Sequence, residues 1–215
     1  MTSTVPEKDN QLLYAAGDVI VWVGQPNQGC PAGFEDITTI TGNTYCCLGW
    51  VETSGYIFKL DETIKDIPAA GVLTPIRSIL TGGSKTVQAT LLEGMNPYVR
   101  SLYDDVPIFP KSSSPLMPST TAPYVASYVI PDPPADNRYS LIFDSIDGEK
   151  AMRLYAPFAK VTARGNDQVQ QADVEALQLT WTFYPGTIDD GTDPAEIGVA
   201  KRIMNYGQDM SDYFS

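Results

Sequence analysis

The run Gly82-Gly83-Ser84-Lys85-Thr86 comes closest to a chemistry-bearing motif, because glycine-rich loops ending in Lys-Ser/Thr cradle phosphates on their backbone amides. Ser84 and Ile79, however, stand where that loop requires glycine, and Thr86–Glu93 alternates like a strand where a helix would have to begin. The run therefore reads as a hairpin turn. Asp189-Asp190-Gly191-Thr192-Asp193 gathers oxygens of the kind calcium takes, but it lacks the spaced ligands and the closing bidentate Glu of an EF-hand loop, so an acidic turn is expected. Asp61-Glu62 and Asp104-Asp105 are carboxylate pairs, and a hydrolase without histidine would have to use groups such as Glu93 and Asp104. Sequence neighbours diverge in space, which favours solvated surface. Cys46 and Cys47 have no Lys, Arg or His beside them to lower a thiol pKa, and two adjacent strand residues face opposite ways. Together with Cys30 they read as inert thiols in a reducing cytoplasm.

The whole composition turns away from catalysis. There is no histidine among the 215 residues, which removes the commonest general base, metal ligand and partner of a nucleophile. No catalytic, cofactor-binding or metal-binding residue is expected, and the protein reads as no enzyme. A net charge of −12, from 14 Lys and Arg against 26 Asp and Glu, excludes tight phosphate contact, which needs cations. With 43% hydrophobic residues the chain can bury one main core unaided. Met1–Gln11 is polar, and no apolar run is long enough to span a membrane, so a soluble protein without a signal peptide is expected. Twelve tyrosines with Trp22, Trp50 and Trp181 could build a sugar platform or an interface, but aromatics on alternating strands more often belong to the core.

These residues are positioned by a chain that is mainly β. Leu177, Leu179, Trp181 and Phe183 face one way and Gln178, Thr180 and Thr182 the other, the pattern of a half-buried strand. Asp18–Val23 is almost continuously apolar, as in a strand covered on both faces. Thr44–Val51 and Tyr56–Leu60 read as strands around the turn Thr53-Ser54-Gly55, and Asp61–Gly71 as a polar, mobile loop. Pro75–Leu80 and Thr86–Glu93 follow, joined by the turn at 81–84. Asn96-Pro97 starts a helix with Asn as N-cap and Pro in the first turn, and Val99, Leu102, Tyr103 and Val106 form its apolar stripe, ending before Pro107.

Residues 107–138 form a proline-rich excursion, with 8 of the 17 prolines between Pro107 and Pro134, broken by a strand at Tyr124–Ile130. Ser140–Phe143, Arg153–Tyr155 and Phe158–Ala163 resume the strands. The expected organisation is an N-terminal arm over 1–13, a β domain over 14–185 and an acidic C-terminal arm over 186–215. That arm sets six acids against Lys201 and Arg202, and Asp193-Pro194 with Glu196 could start a short helix reaching Met204.

Four segments, in order, resemble the major tail protein, or tail tube protein, of long-tailed bacteriophages. They are Cys47-Leu48-Gly49-Trp50 with Thr53-Ser54-Gly55; Pro75-Ile76-Arg77-Ser78-Ile79 leading to Thr90-Leu91-Leu92-Glu93; Ala156–Gly165; and Leu177–Pro185. The resemblance covers roughly Tyr14–Pro185, with the helix just after Thr90–Glu93, and leaves out the proline-rich excursion and the C-terminal arm.

The resemblance implies a β-sandwich or barrel-like tail tube fold with one flanking helix and extended terminal arms, assembling as hexameric rings that stack into a hollow tube. It implies a loop reaching the next ring, here Asp61, Glu62, Thr63, Ile64, Lys65 and Asp66, and arm contacts through Ile197, Ile203, Met204, Tyr213 and Phe214. The implied partners are other copies of the chain, a tape measure protein, tail terminator and distal tail proteins, and viral double-stranded DNA passing without specific binding, with no membrane and no cofactor. The implied location is the virion, after assembly in the host cytoplasm. Sixfold repetition of an acidic subunit would give a lumen that repels phosphate and lets DNA slide. Sheet margins would be completed by neighbouring copies. The competing class is a β-sandwich binding module, carbohydrate-recognising or decorating a capsid.

Overall fold

Alternation decides Leu177–Phe183 as expected: Leu177, Leu179, Trp181 and Phe183 are buried, and Gln178 is exposed on the other face. The structure, a computed structural model, describes residues 13–31, 34, 45–68, 70, 74–109, 114–132, 134–169, 174–188 and 196–207. Its strands are β1 (Asp18–Gly24), β2 (Tyr45–Ile67), β3 (Arg77–Leu91), β4 (Tyr139–Asp147), β5 (Lys150–Arg164), β6 (Leu177–Phe183), β7 (Gly186–Ile188), β8 (Glu196–Gly198) and β9 (Lys201–Asn205). A helix, α1 (Pro97–Asp104), follows β3.

The antiparallel pairings run β1–β2, β2–β3, β3–β6, β6–β5, β5–β4 and β4–β1, so six strands close into a barrel. Closure removes the body's sheet margins within one chain, where completion by neighbours was expected. Inward residues of every strand fill the barrel, among them Val21, Leu48, Val87, Leu141, Phe143, Leu154 and Trp181. Phe143 meets Trp181 edge-on at 5.6 Å and Tyr56 at 5.2 Å, contacts worth roughly 0.5–1.5 kcal/mol each beyond area burial.

The continuous apolar run of β1 has its reason in a second cluster outside the barrel wall. Val21 and Val23 point inward, whereas Trp22 packs outside with Cys30, Tyr45, Ile142 and Tyr155. Cys46 and Cys47 divide the same way, one to each cluster. Over this outer cluster the loop after β1 is tied down by Tyr45 and Tyr155, whose hydroxyls donate to the Gln28 carbonyl at 2.9 and 2.6 Å. Arg153 and Asp144, both fully buried, form a two-armed pair at 2.7 and 3.1 Å, and Arg153 also donates to the Pro31 carbonyl. Burial raises the Asp144 carboxyl above its usual range despite the guanidinium.

Helix α1 begins as the sequence dictates. Asn96 caps it by accepting from the Tyr98 amide at 3.0 Å, and Val99 and Leu102 are buried against the barrel. It stops at Asp104 because Asp105 turns left-handed (φ 57), and the Ser101 hydroxyl then donates to the Val106 carbonyl at 2.7 Å. Tyr103 donates to the Gly165 carbonyl and Arg164 to that of Leu102, so the helix covers the barrel end where β5 finishes and β6 begins.

Several expected boundaries are corrected. Thr53-Ser54-Gly55 makes no turn; β2 runs on through it, and the register against β3 slips between Val51 and Tyr56, so these residues form a wide bulge with Gly55 at φ 68. Gly82-Gly83 likewise sits inside β3, opposite Thr63 and Glu62. Asp61–Ile67 is strand, and the chain reverses only beyond it, where the Ile76 amide donates to the Ile67 carbonyl. Arg153–Tyr155 and Phe158–Ala163 are one strand, β5, with Pro157 at a bulge against β4. Tyr124–Ile130 forms no strand and joins no sheet among the described residues, Tyr124 being left-handed at φ 49.

The stretch expected as a helix up to Met204 is β8 and β9, because β9 satisfies the edge of Ala151–Tyr155 that β6 leaves open. Residues 201–205 thus return to the barrel, and Ile188 joins the outer cluster. The N-terminal arm over 1–12, Asp189–Asp193, and Tyr213 and Phe214 lie outside the described residues.

Candidate assembly surface

Beyond Thr86, where β6 ceases to pair with β3, the strands β2 and β3 continue together as a two-stranded ribbon of residues 59–67 and 77–85. At about 3.3 Å per residue it stands roughly 25 Å clear of the barrel. The sequence supports it by alternation: Leu60, Glu62, Ile64 and Asp66 share one face, Lys59, Asp61, Thr63 and Lys65 the other. Register places Lys85, Gly83, Leu80 and Ser78 opposite the first set, with a slip at Thr63/Ile64 that leaves Thr81 unopposed. The Thr81 hydroxyl satisfies the Thr63 carbonyl there at 3.1 Å, and Ser78 donates to Asp66 at 2.5 Å.

One ribbon face continues the interior face of the barrel, running from Phe58 and Val87 through Leu60 to Ile64 and Leu80. Yet Leu60, Ile64 and Leu80 are 61%, 60% and 61% exposed, far more than core-facing residues tolerate. At its base an open groove of about 480 Å³ is walled by Leu60, Leu80, Phe183, Tyr184, Pro185 and Val199. The ribbon's charge departs from that of the body: Lys59, Lys65, Arg77 and Lys85 face Asp61, Glu62 and Asp66, a net of +1, leaving −13 of the chain's −12 to the remainder.

The six residues expected in a ring-bridging loop, Asp61 to Asp66, are therefore together on β2, as strand and not loop. Ile197, on β8, is exposed; Ile203 and Met204 lie on β9, Ile203 against the outer cluster and Met204 half exposed. Leu60 and Leu80, as exposed as Ile64, and the less exposed Ile79 also lie on the ribbon and were missed. The even spacing of Leu60 and Ile64 along β2 was the available signal, masked by the turn residues opposite them on β3.

The candidate chemical groups do not converge. Asp61 and Glu62 point to opposite ribbon faces, Asp104 accepts from the Tyr128 hydroxyl at 2.7 Å, and Asp105 accepts from Asn137 at 3.1 Å. Glu93 takes the Trp50 amide at 3.3 Å and the Asn96 side chain at 3.1 Å, lying directly over Gly49, whose φ of 82 and absent Cβ make room for it. Burial pushes the Cys47 thiol pKa up, away from reactivity. Among the described residues no group of three His, Cys, Asp or Glu could hold a metal ion, and no helix is long and apolar enough to cross a membrane. Trp50 is 72% exposed beside Asp18 and Glu93 at a shallow notch of about 290 Å³. No protein-family model matches this chain and no curated protein matches it, so what it can do rests on the ribbon, the groove and the edges just described.

Proposed function

We propose that this protein is a non-enzymatic structural subunit of a phage tail tube, assembling as stacked hexameric rings whose acidic lumen conducts DNA. The observation that carries this is the ribbon: a projecting pair of strands with large apolar side chains in water on a face that continues the core. An isolated domain gains nothing from such a surface, whereas a second copy would bury it. The contrast between a +1 ribbon and a −13 remainder favours ribbon-to-body contact between copies. The same acidic surplus suits a channel that must hold DNA weakly.

Negative-stain microscopy of the purified protein tests this. Rings or tubes of regular diameter are expected, and monomers persisting at high concentration overturn it. A second reading, a carbohydrate-binding or capsid-decorating module, draws on exposed Trp50 alone; glycan binding without self-assembly would favour it.

A further inference from the structure

Tyr124–Ile130 has the composition of a strand, with Tyr124, Val125, Tyr128, Val129 and Ile130 among its seven residues. It forms no regular element, Tyr124 being left-handed at φ 49, and among the described residues no backbone hydrogen bond involves Ala126–Ile130; only the Tyr124 amide, to Thr121, and the Val125 carbonyl, from Ser119, are used. Tyr124, Val125 and Ile130 are exposed, and Val129 is 87% exposed. Pro123 and Pro131 bound the stretch, and neither can donate to a ladder, so the length available for pairing is fixed at both ends. Among the described residues Tyr128 anchors it to the body, packing against the main core and donating its hydroxyl to Asp104 at the end of α1.

We propose that Tyr124–Ile130 is a donor strand that pairs with the outer edge of β9 in a second copy of this chain. The proposal rests on the self-assembly reading above and names one contact within it. β9 is bonded to β5 on one side, and among the described residues no strand lies on its other side. Its five residues equal in number the donor residues Ala126–Ile130 that make no backbone hydrogen bond, and its Ile203–Asn205 half is uncharged. The ribbon edges, by contrast, carry Lys59, Asp61, Lys65, Asp66, Arg77 and Lys85, the spacing of charge that blunts an edge against pairing. The donor is also uncharged.

The donor's tether and β9 lie toward opposite ends of β5. The donor hangs from the helix end, where Arg164 of β5 meets α1, whereas β9 lies against Ala151–Tyr155. Arg164 and Tyr155 are nine residues apart on one strand, roughly 30 Å. Donor and acceptor are different surfaces at opposite ends, so the contact is head-to-tail, and its repetition yields a ring where the rotation closes.

Replacing Val129 with proline in the full-length protein removes an amide that has no hydrogen-bond partner among the described residues. Val129→Pro is expected to keep the melting temperature of the isolated subunit and to raise the concentration needed for assembly by about tenfold or more. Mixing Val129→Cys protein with Met204→Cys protein under mild oxidation is expected to give disulfide-linked heterodimers that neither gives alone. Assembly of Val129→Pro at wild-type concentrations, or cross-links from residue 129 to the ribbon or to a terminal arm instead of β9, overturns the proposal while leaving the tube reading intact. Non-tubular oligomers that Val129→Pro abolishes uphold the donor strand and overturn the tube. A wild-type chain that stays monomeric overturns both.

Discussion

Replacing Leu60, Ile64 and Leu80 together by serine separates assembly from folding. Each side chain is about three-fifths exposed in the single subunit, so its remaining apolar surface is available only to a partner. Full burial of a Leu or Ile contributes roughly 1.5–3 kcal/mol, and three-fifths of that is about 1–2 kcal/mol per residue. The triple variant should therefore weaken each subunit contact by roughly 3–5 kcal/mol, a loss of about two to four orders of magnitude in association constant. The fold itself should hardly notice, because these residues stand on the ribbon beyond the last β6 pairing and take no part in the barrel core. Sedimentation velocity across a concentration series, with negative-stain images of the same samples, reads the assembly; thermal melting by circular dichroism of the dilute protein reads the fold. An unchanged assembly threshold would refute the role given to the ribbon face, and a collapsed melting temperature would refute its independence from the core.

Removing Arg153 by Arg153→Met should destabilise the subunit by about 3–5 kcal/mol in urea titration, since it strands a fully buried carboxylate. Because burial raises the Asp144 pKa, the folded form binds the proton better than the unfolded chain. The stability of Arg153→Met should therefore rise as pH falls from 7 through the window above 3.8, and Asp144→Asn added to it should flatten that dependence. At Gly49, Gly49→Ala combines a left-handed φ of 82 with a Cβ 2.0 Å from the Glu93 carboxyl carbon, and should cost about 1–3 kcal/mol by thermal melting. Tyr128 is pushed up to about 12 by burial and then by Asp104, so in ultraviolet titration Tyr128→Phe should leave the number of tyrosines ionising near 10 unchanged and remove one that ionises near 12. The stability that hydroxyl contributes should be lost between 10 and about 12.

Local chemistry settled what sequence alone could settle. The inward set Leu177, Leu179, Trp181 and Phe183, the Asn96-Pro97 start of α1, the two-faced cover of β1 and the opposed Cys46 and Cys47 all follow from side-chain period and capping, which need no distant partner. Pairing depends on partners far along the chain, and there only the tertiary structure could decide. Gly55 and Gly82-Gly83 carry turn chemistry, but with β2 and β3 already facing each other they bend or thin a continuous ladder. Lys201–Asn205 is a strand because β5 offers it an open edge, whereas Tyr124–Ile130, with strand-forming composition, pairs with no strand among the described residues. The ribbon combines both cases: its alternation was written in the residues, while its projection into solvent follows from β6 ending at Phe183 and leaving two strands to continue without a third.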